Sequence, residues 1–82
     1  MTGARMTVTV HYFARLREEM GRADEQAELP TESISVGDLW RHLHGDAPPE
    51  RLMVAVNQEQ AALDTVVRDG DEVAYFPPVT GG

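Results

Sequence analysis

From Met6 the chain alternates: Met6, Val8, Val10 and Tyr12 fall on one side, Thr7, Thr9 and His11 on the other. A period of two carried by β-branched and aromatic residues predicts a strand with one buried face. The next stretch changes period. Phe13, Leu16 and Met20 recur at i, i+3 and i+7, which predicts a short helix over Phe13–Met20, stopped by Gly21. Asp24 to Leu29 returns to alternation, with Ala27 and Leu29 set between charged neighbours. That is the pattern of an edge strand whose charge discourages pairing with other chains, and Pro30 ends it. Helical spacing reappears at Val36, Leu39, Trp40 and Leu43, a single apolar stripe that must pack on something. Ser35, three residues before Asp38, predicts a reciprocal N-terminal cap, and Gly45 the stop. This is the main helix, with Trp40 as its largest buried side chain.

Pro48 and Pro49 form a connector, and the near-continuous apolar run Leu52–Val56 reads as a central strand. Asn57-Gln58-Glu59-Gln60 is polar and turn-like, Asn57 being suited to a left-handed conformation. Ala61–Val67 carries a short, irregular strand or turn. Arg68-Asp69-Gly70-Asp71 is a tight turn, marked by Asp-Gly, and Glu72–Phe76 is the last strand. Two helices and four or five short strands predict an α+β fold, one sheet against one main helix. Residues 1–82 make a single domain, with Met1–Arg5 as a loose leader. A terminal strand emerging from the middle of such a sheet would anchor firmly whatever follows it.

Composition narrows the chemistry. A net charge of −7 over 82 residues argues against nucleic acid, which demands clustered positive charge. With no cysteine there is no disulfide, no thiol nucleophile and no thiolate metal site. All seven basic residues are arginine, so the body offers no ε-amine for an isopeptide bond to a second copy. No stretch is long and apolar enough to span a membrane, and a cytoplasmic location is the simplest expectation. His42 and His44 are two apart on a helix and point in different directions, and His11 has no partner at ligand spacing, so no metal site is expected. The carboxylates are scattered over surfaces and turns, and no glycine-rich phosphate loop opens a helix. A self-contained catalyst is not expected.

The remaining chemistry lies in the tail after Phe76, Pro77-Pro78-Val79-Thr80-Gly81-Gly82. Proline lacks the N–H that would continue a ladder and holds the backbone extended. Gly81 and Gly82 have no Cβ, so their backbone fits a slot too narrow for side chains. Six extended residues reach about 20 Å, enough to deliver a carboxylate into another protein's cleft. A terminal carboxylate, with an ordinary pKa of ~3.3–3.7, is ionised and inert until it is activated, for example by adenylation on a separate enzyme. An acyl-adenylate can accept sulfur to become a thiocarboxylate.

Over Met6–Gly82 the chain resembles the family of small sulfur-carrier subunits of molybdopterin synthase. The resemblance rests on Tyr12-Phe13-Ala14 with Leu16-Arg17-Glu18, on Val54-Ala55-Val56-Asn57, and above all on Asp69-Gly70-Asp71-Glu72-Val73-Ala74-Tyr75-Phe76 running into Pro77-Pro78-Val79-Thr80-Gly81-Gly82. Tyr75 stands where the family often has phenylalanine. The resemblance implies a ubiquitin-like β-grasp. It implies that Gly82 is adenylated by a ubiquitin-activating-like adenylyltransferase, which uses ATP, and is then thiocarboxylated. The tail (Phe76, Pro77, Pro78, Val79, Thr80, Gly81) would enter a large catalytic subunit, where sulfur passes to a cyclic pyranopterin precursor. Two carriers and two large subunits would form a heterotetramer, and the chain itself would bind no cofactor. Two other readings stay open: a sulfur carrier for thiamin or cysteine biosynthesis, and a protein modifier that joins its terminal glycine to lysines of other proteins. In a third, the chain is a plain binding module and the tail is incidental.

Overall fold

The alternation at the start of the chain becomes strand β1, Met6–Tyr12, whose four expected inward residues are all buried. The computed structural model describes residues 5–77, so the expectations for Met1–Ala4 and for Pro78–Gly82 lie outside the described residues. Arg5, expected to belong to a loose leader, reaches Glu28 at 3.8 Å in a solvent-exposed ion pair. After β1 come α1 (Arg15–Met20), β2 (Asp24–Leu29), β3 (Ser33–Ser35), α2 (Val36–His44), β4 (Met53–Val56), β5 (Glu59–Ala61), β6 (Val66–Arg68) and β7 (Glu72–Phe76). Five strands form a sheet in the order β2-β1-β7-β4-β5, and β3 pairs with β6 in a second, two-stranded sheet. β1 and β7 run parallel; every other neighbouring pair is antiparallel. The result is an α+β fold with α2 closing one face of a mixed sheet.

The core lies between that face and α2. Met6, Val8, Val10, Tyr12, Val54, Val73 and Tyr75 from the sheet meet Val36, Leu39 and Trp40 from the helix. Trp40 packs edge-on against Tyr75 with ring centroids 5.0 Å apart, and Leu43 flanks the cluster half-buried. β2 is an edge strand with Ala27 and Leu29 turned inward, as its alternation predicts. α2 starts at Ser35, whose Oγ accepts the Asp38 N–H, and stops at Gly45 in the left-handed region. The reciprocal half of the expected cap is absent among the described hydrogen bonds. Ser35 is also the last residue of β3, in register with Val66, so its backbone answers to a strand as well as to the helix.

Four expectations need correction. Seven strands form rather than four or five, because β3, β5 and β6 are three residues each, too short to show a period. β5 begins at Glu59, so the polar turn shrinks to Asn57 and Gln58, both left-handed with φ of 51° and 70°. β4 is a central strand as expected, one place from β7 in the middle, but it starts at Met53 instead of Leu52, and Met53 is 42% exposed. Phe13 is not helical: α1 starts at Arg15, and Phe13 continues the β1 ladder by donating its N–H to the Tyr75 carbonyl at 3.2 Å. Only Leu16 of the expected helical stripe is buried. Among the described residues, no helix is long and apolar enough to cross a membrane.

One polar cluster borders the core. The Tyr12 hydroxyl donates to Glu25 and lies 3.0 Å from Nε2 of His44, whose ring also tilts against Trp40. Since that hydroxyl proton is committed to Glu25, His44 must donate from Nε2. Burial is the main effect on His44 and lowers its pKa; the neighbouring Glu25 and Asp46 oppose this, and Arg22 adds to it. The folded state therefore holds a proton at His44 less readily than the unfolded chain, and stability falls as pH drops below the ordinary histidine value of ~6.5. Urea unfolding at pH 7 and pH 5 should show a larger loss for the wild type than for His44→Gln. Trp40→Ala should cost about 3–5 kcal/mol, a large share of the about 4–12 kcal/mol expected for a domain of this length. A variant that unfolds at the wild-type urea midpoint would contradict that core role.

Candidate functional site

The site expected from the sequence begins where β7 ends. β7 is bonded on both sides, to β1 in parallel through Thr9↔Glu72 to Tyr12↔Tyr75, and to β4 through Met53↔Phe76 to Val56↔Val73. Its start is fixed too. Gly70, with φ of 88°, makes the turn that sequence anticipated, and the Asp71 carboxylate accepts the Arg68 N–H. That backbone hydrogen bond, aided by the Asn57 side-chain amide, holds the Asp71 carboxyl below its usual value. Asn57 also accepts the Glu72 N–H through its side chain, so the left-handed turn after β4 clamps the first residue of β7. Within β7, the Tyr75 hydroxyl donates to the Val36 carbonyl at 2.8 Å, tying the strand to the first turn of α2. Burial pushes the Tyr75 phenol pKa up, so it stays a donor.

Strand alternation then splits the exit by face. Val73 and Tyr75 point into the core, while Ala74 and Phe76 lie on the open side. Phe76 meets Phe13 there in a nearly parallel stack, with centroids 4.7 Å apart and planes 7° from parallel. Register places Met53 opposite Phe76 and Ala55 opposite Ala74. The open face, polar at Thr7 and Thr9, is thus apolar around the end of β7. Two open depressions flank Phe76. One, of about 460 Å³, is bordered by His11, Phe13, Gln58 and Ala74; the other, of about 560 Å³, by Ala14, Met53, Gln60 and Pro77. Ala14 has a φ of 54° and a ψ of −129°, a conformation that favours glycine and costs an alanine on the order of 1–3 kcal/mol. This turn swings the chain out of the β1 ladder into α1 directly after Phe13, which stays on the open face.

Of the residues expected to serve the site, Phe76 and Pro77 come together in this patch, and both are half-buried. Pro78, Val79, Thr80, Gly81 and Gly82 lie outside the described residues. Sequence reasoning missed Phe13, Met53 and Ala55 as neighbours of Phe76. The available signal was parity: Met53 and Phe13 occupy positions that alternation assigns to the outward face, yet both are large and apolar. Among the described residues, no group of three or more His, Asp or Glu side chains could hold a metal ion.

A helix-backed mixed sheet whose last strand is central has counterparts among solved structures. Small archaeal modifier protein 1 of Haloferax volcanii superposes with a TM-score of 0.76 at 27% identity, over 90% of this chain and 99% of that one. The fold is the ubiquitin-like β-grasp. The chain belongs to the ThiS family, which matches residues 10–82. Its relatives include the molybdopterin synthase sulfur carrier subunits of Escherichia coli (strain K12) and Homo sapiens. The first is 37% identical over 83 residues, covering 92% of this chain and 99% of the relative. The second is 34% identical over 83 residues, covering 92% and 93%.

Because the Phe13–Phe76 stack sits on the open face, its loss should cost far less than loss of a core side chain. Phe13→Ala and Phe76→Ala should each remove about 1 kcal/mol, a shift of ~4–8 °C in the thermal midpoint. A double-mutant cycle should return a coupling of roughly 0.5–1.5 kcal/mol. A loss near 3–5 kcal/mol for Phe76→Ala alone would make it a core residue instead.

Proposed function

We propose that this chain is a sulfur carrier, the small subunit of a molybdopterin synthase, and that the C-terminal carboxylate of Gly82 is the group that carries the sulfur. The observation that supports this reading most directly is the anchoring of β7. The strand leading to the terminus is bonded on both edges, locked to α2 through Tyr75, and ends at Phe76 and Pro77 beside an apolar open face. A tail that must reach into a partner needs a rigid base and a surface for that partner beside it. Likeness to the carrier subunits of Escherichia coli and Homo sapiens points the same way.

In this reading a cytoplasmic adenylyltransferase binds ATP and joins AMP to the Gly82 carboxylate, releasing pyrophosphate. A sulfur nucleophile at the level of hydrosulfide attacks the acyl carbon and expels AMP, leaving a thiocarboxylate. The tail then enters the large catalytic subunit, where the sulfur passes to a cyclic pyranopterin precursor and water restores the carboxylate. Phe76 anchors the carrier on both partners, since it stands on the exposed patch where the tail begins. Two carriers and two large subunits form the working assembly. This chain contributes no resident cofactor; its part is reach, slimness at Gly81 and Gly82, and a fixed origin.

The likeness to a small archaeal modifier protein favours one second reading, conjugation of Gly82 to lysines of other proteins. Intact mass of the chain purified with its activating enzyme separates the two. An oxygen replaced by sulfur at the terminus marks the carrier, and lysine-linked adducts on other proteins mark the modifier. Deleting Gly82 shortens the reach by ~3.5 Å, more than attack geometry tolerates. Gly81→Val adds bulk without changing reach. Both variants should stay folded and yield little product with the activating enzyme, a sulfur donor and the large subunit. Near wild-type product from the Gly82 deletion would remove the carboxylate from its role.

A further inference from the structure

An activated acyl group is consumed by whatever nucleophile meets it first, so the nucleophiles of the carrier itself bear on its fate. Amines and thiols are the side chains that capture acyl-adenylates and thioesters fastest. The 82 residues contain no lysine and no cysteine. Every cationic position is instead an arginine, and all seven, from Arg5 to Arg68, are exposed. A guanidinium, with a pKa above about 12, remains protonated and offers no lone pair, whereas an exposed lysine at any of these places would present a reactive amine. The imidazoles of His11, His42 and His44 can hold an acyl group only as an acylimidazole, which is itself activated and passes it to water. Phenols are the next candidates. Both tyrosines are buried, with Tyr12 donating its hydroxyl proton to Glu25 and Tyr75 donating to the Val36 carbonyl. Burial raises both phenol pKa values, for Tyr12 with help from the Glu25 hydrogen bond. Serine and threonine hydroxyls need an adjacent base, and among the described residues none is hydrogen-bonded to a histidine.

We propose that this chain is a one-way acyl donor: no side chain on it forms a lasting bond to an activated Gly82, either its own or that of a second copy. The proposal rests on the reading of Gly82 as the activated end. It adds that no amine or thiol side chain competes for the activated end, so no activation is lost to a stable side-chain product. Capture would form an N–C bond at the acyl carbon and break the bond to the leaving group, with the amine proton passing to solvent. Arg15 is one position close to the exit. It lies two residues beyond Phe13, whose ring stacks on Phe76, and six extended residues from Phe76 reach about 20 Å. Arg68 precedes the turn into β7, at the end of the strand away from the exit.

A chain carrying a synthetic thioester at Gly82, made by intein cleavage, tests the proposal without any activating enzyme. Its outcome is therefore separate from that of the sulfur-carrier assay. At pH 8 the wild type should yield hydrolysed chain and no product linked through a side chain, as located by peptide mapping after denaturing electrophoresis. Arg15→Lys should give products joined at residue 15, and Arg68→Lys products joined at residue 68. The rate should rise at least about a hundredfold over the wild type, following the larger neutral fraction of lysine. Side-chain-linked products from the wild type would overturn the proposal. Lysine variants as clean as the wild type would also overturn it, since the absence of lysine side chains would then not be what protects the terminus.

Discussion

The double pairing of β7 is the constraint on which the rest of this structure depends. The last strand in sequence is the middle strand in space, parallel to β1 and antiparallel to β4. Its backbone groups are satisfied from both edges, so it cannot slide without breaking two ladders at once. Tyr75 reinforces the register from the core side: its ring is buried against Trp40 and Tyr12, and its hydroxyl reaches the first turn of α2. The helix, the first strand and the last strand thus meet at one side chain. Whatever leaves the fold after Phe76 leaves from its best-held point.

The two faces of the sheet have different work. The inner face supplies the core through a strict alternation on β1 and β7. The outer face is polar along most of its length and turns apolar only around Phe13, Met53 and Phe76. This apolar patch is the surface on which the proposed partner contact rests. The strained Ala14 turn belongs to the same arrangement. It lets the chain enter α1 while Phe13 stays on the open face, where its ring meets that of Phe76. The groups that hold the fold thus lie on one face of the sheet and the exposed apolar side chains on the other.

The same separation extends to reactivity. Amine and thiol side chains are missing from the sequence, and both tyrosine hydroxyls are buried in hydrogen bonds. Arginine supplies the positive charge that solubility and surface ion pairs call for, as in Arg15 with Glu19 and Arg22 with Glu25, without adding an amine.

By itself the sequence determined the long periodic elements: the faces of β1, the stripe and both ends of α2, and the edge character of β2; it also carries the diglycine on which the proposed function rests. These are local regularities, written in spacings of two and of three to four residues, and they need no partner strand to be read. Tertiary structure decided what local spacing cannot encode. Phe13 fits a helical period with Leu16 and Met20, yet the ladder with Tyr75 claims its backbone and the stack with Phe76 claims its ring. Leu52–Val56 reads as the most apolar strand, but its place one step from the middle follows from pairing order, which sets the exposure of Met53. β3, β5 and β6 are strands only because a partner lies alongside; three residues carry too little pattern to declare themselves. The apolar patch is the product of register, since it joins Phe13, just past β1, with residues of β4 and β7 that are distant in sequence and become neighbours only when the ladders align.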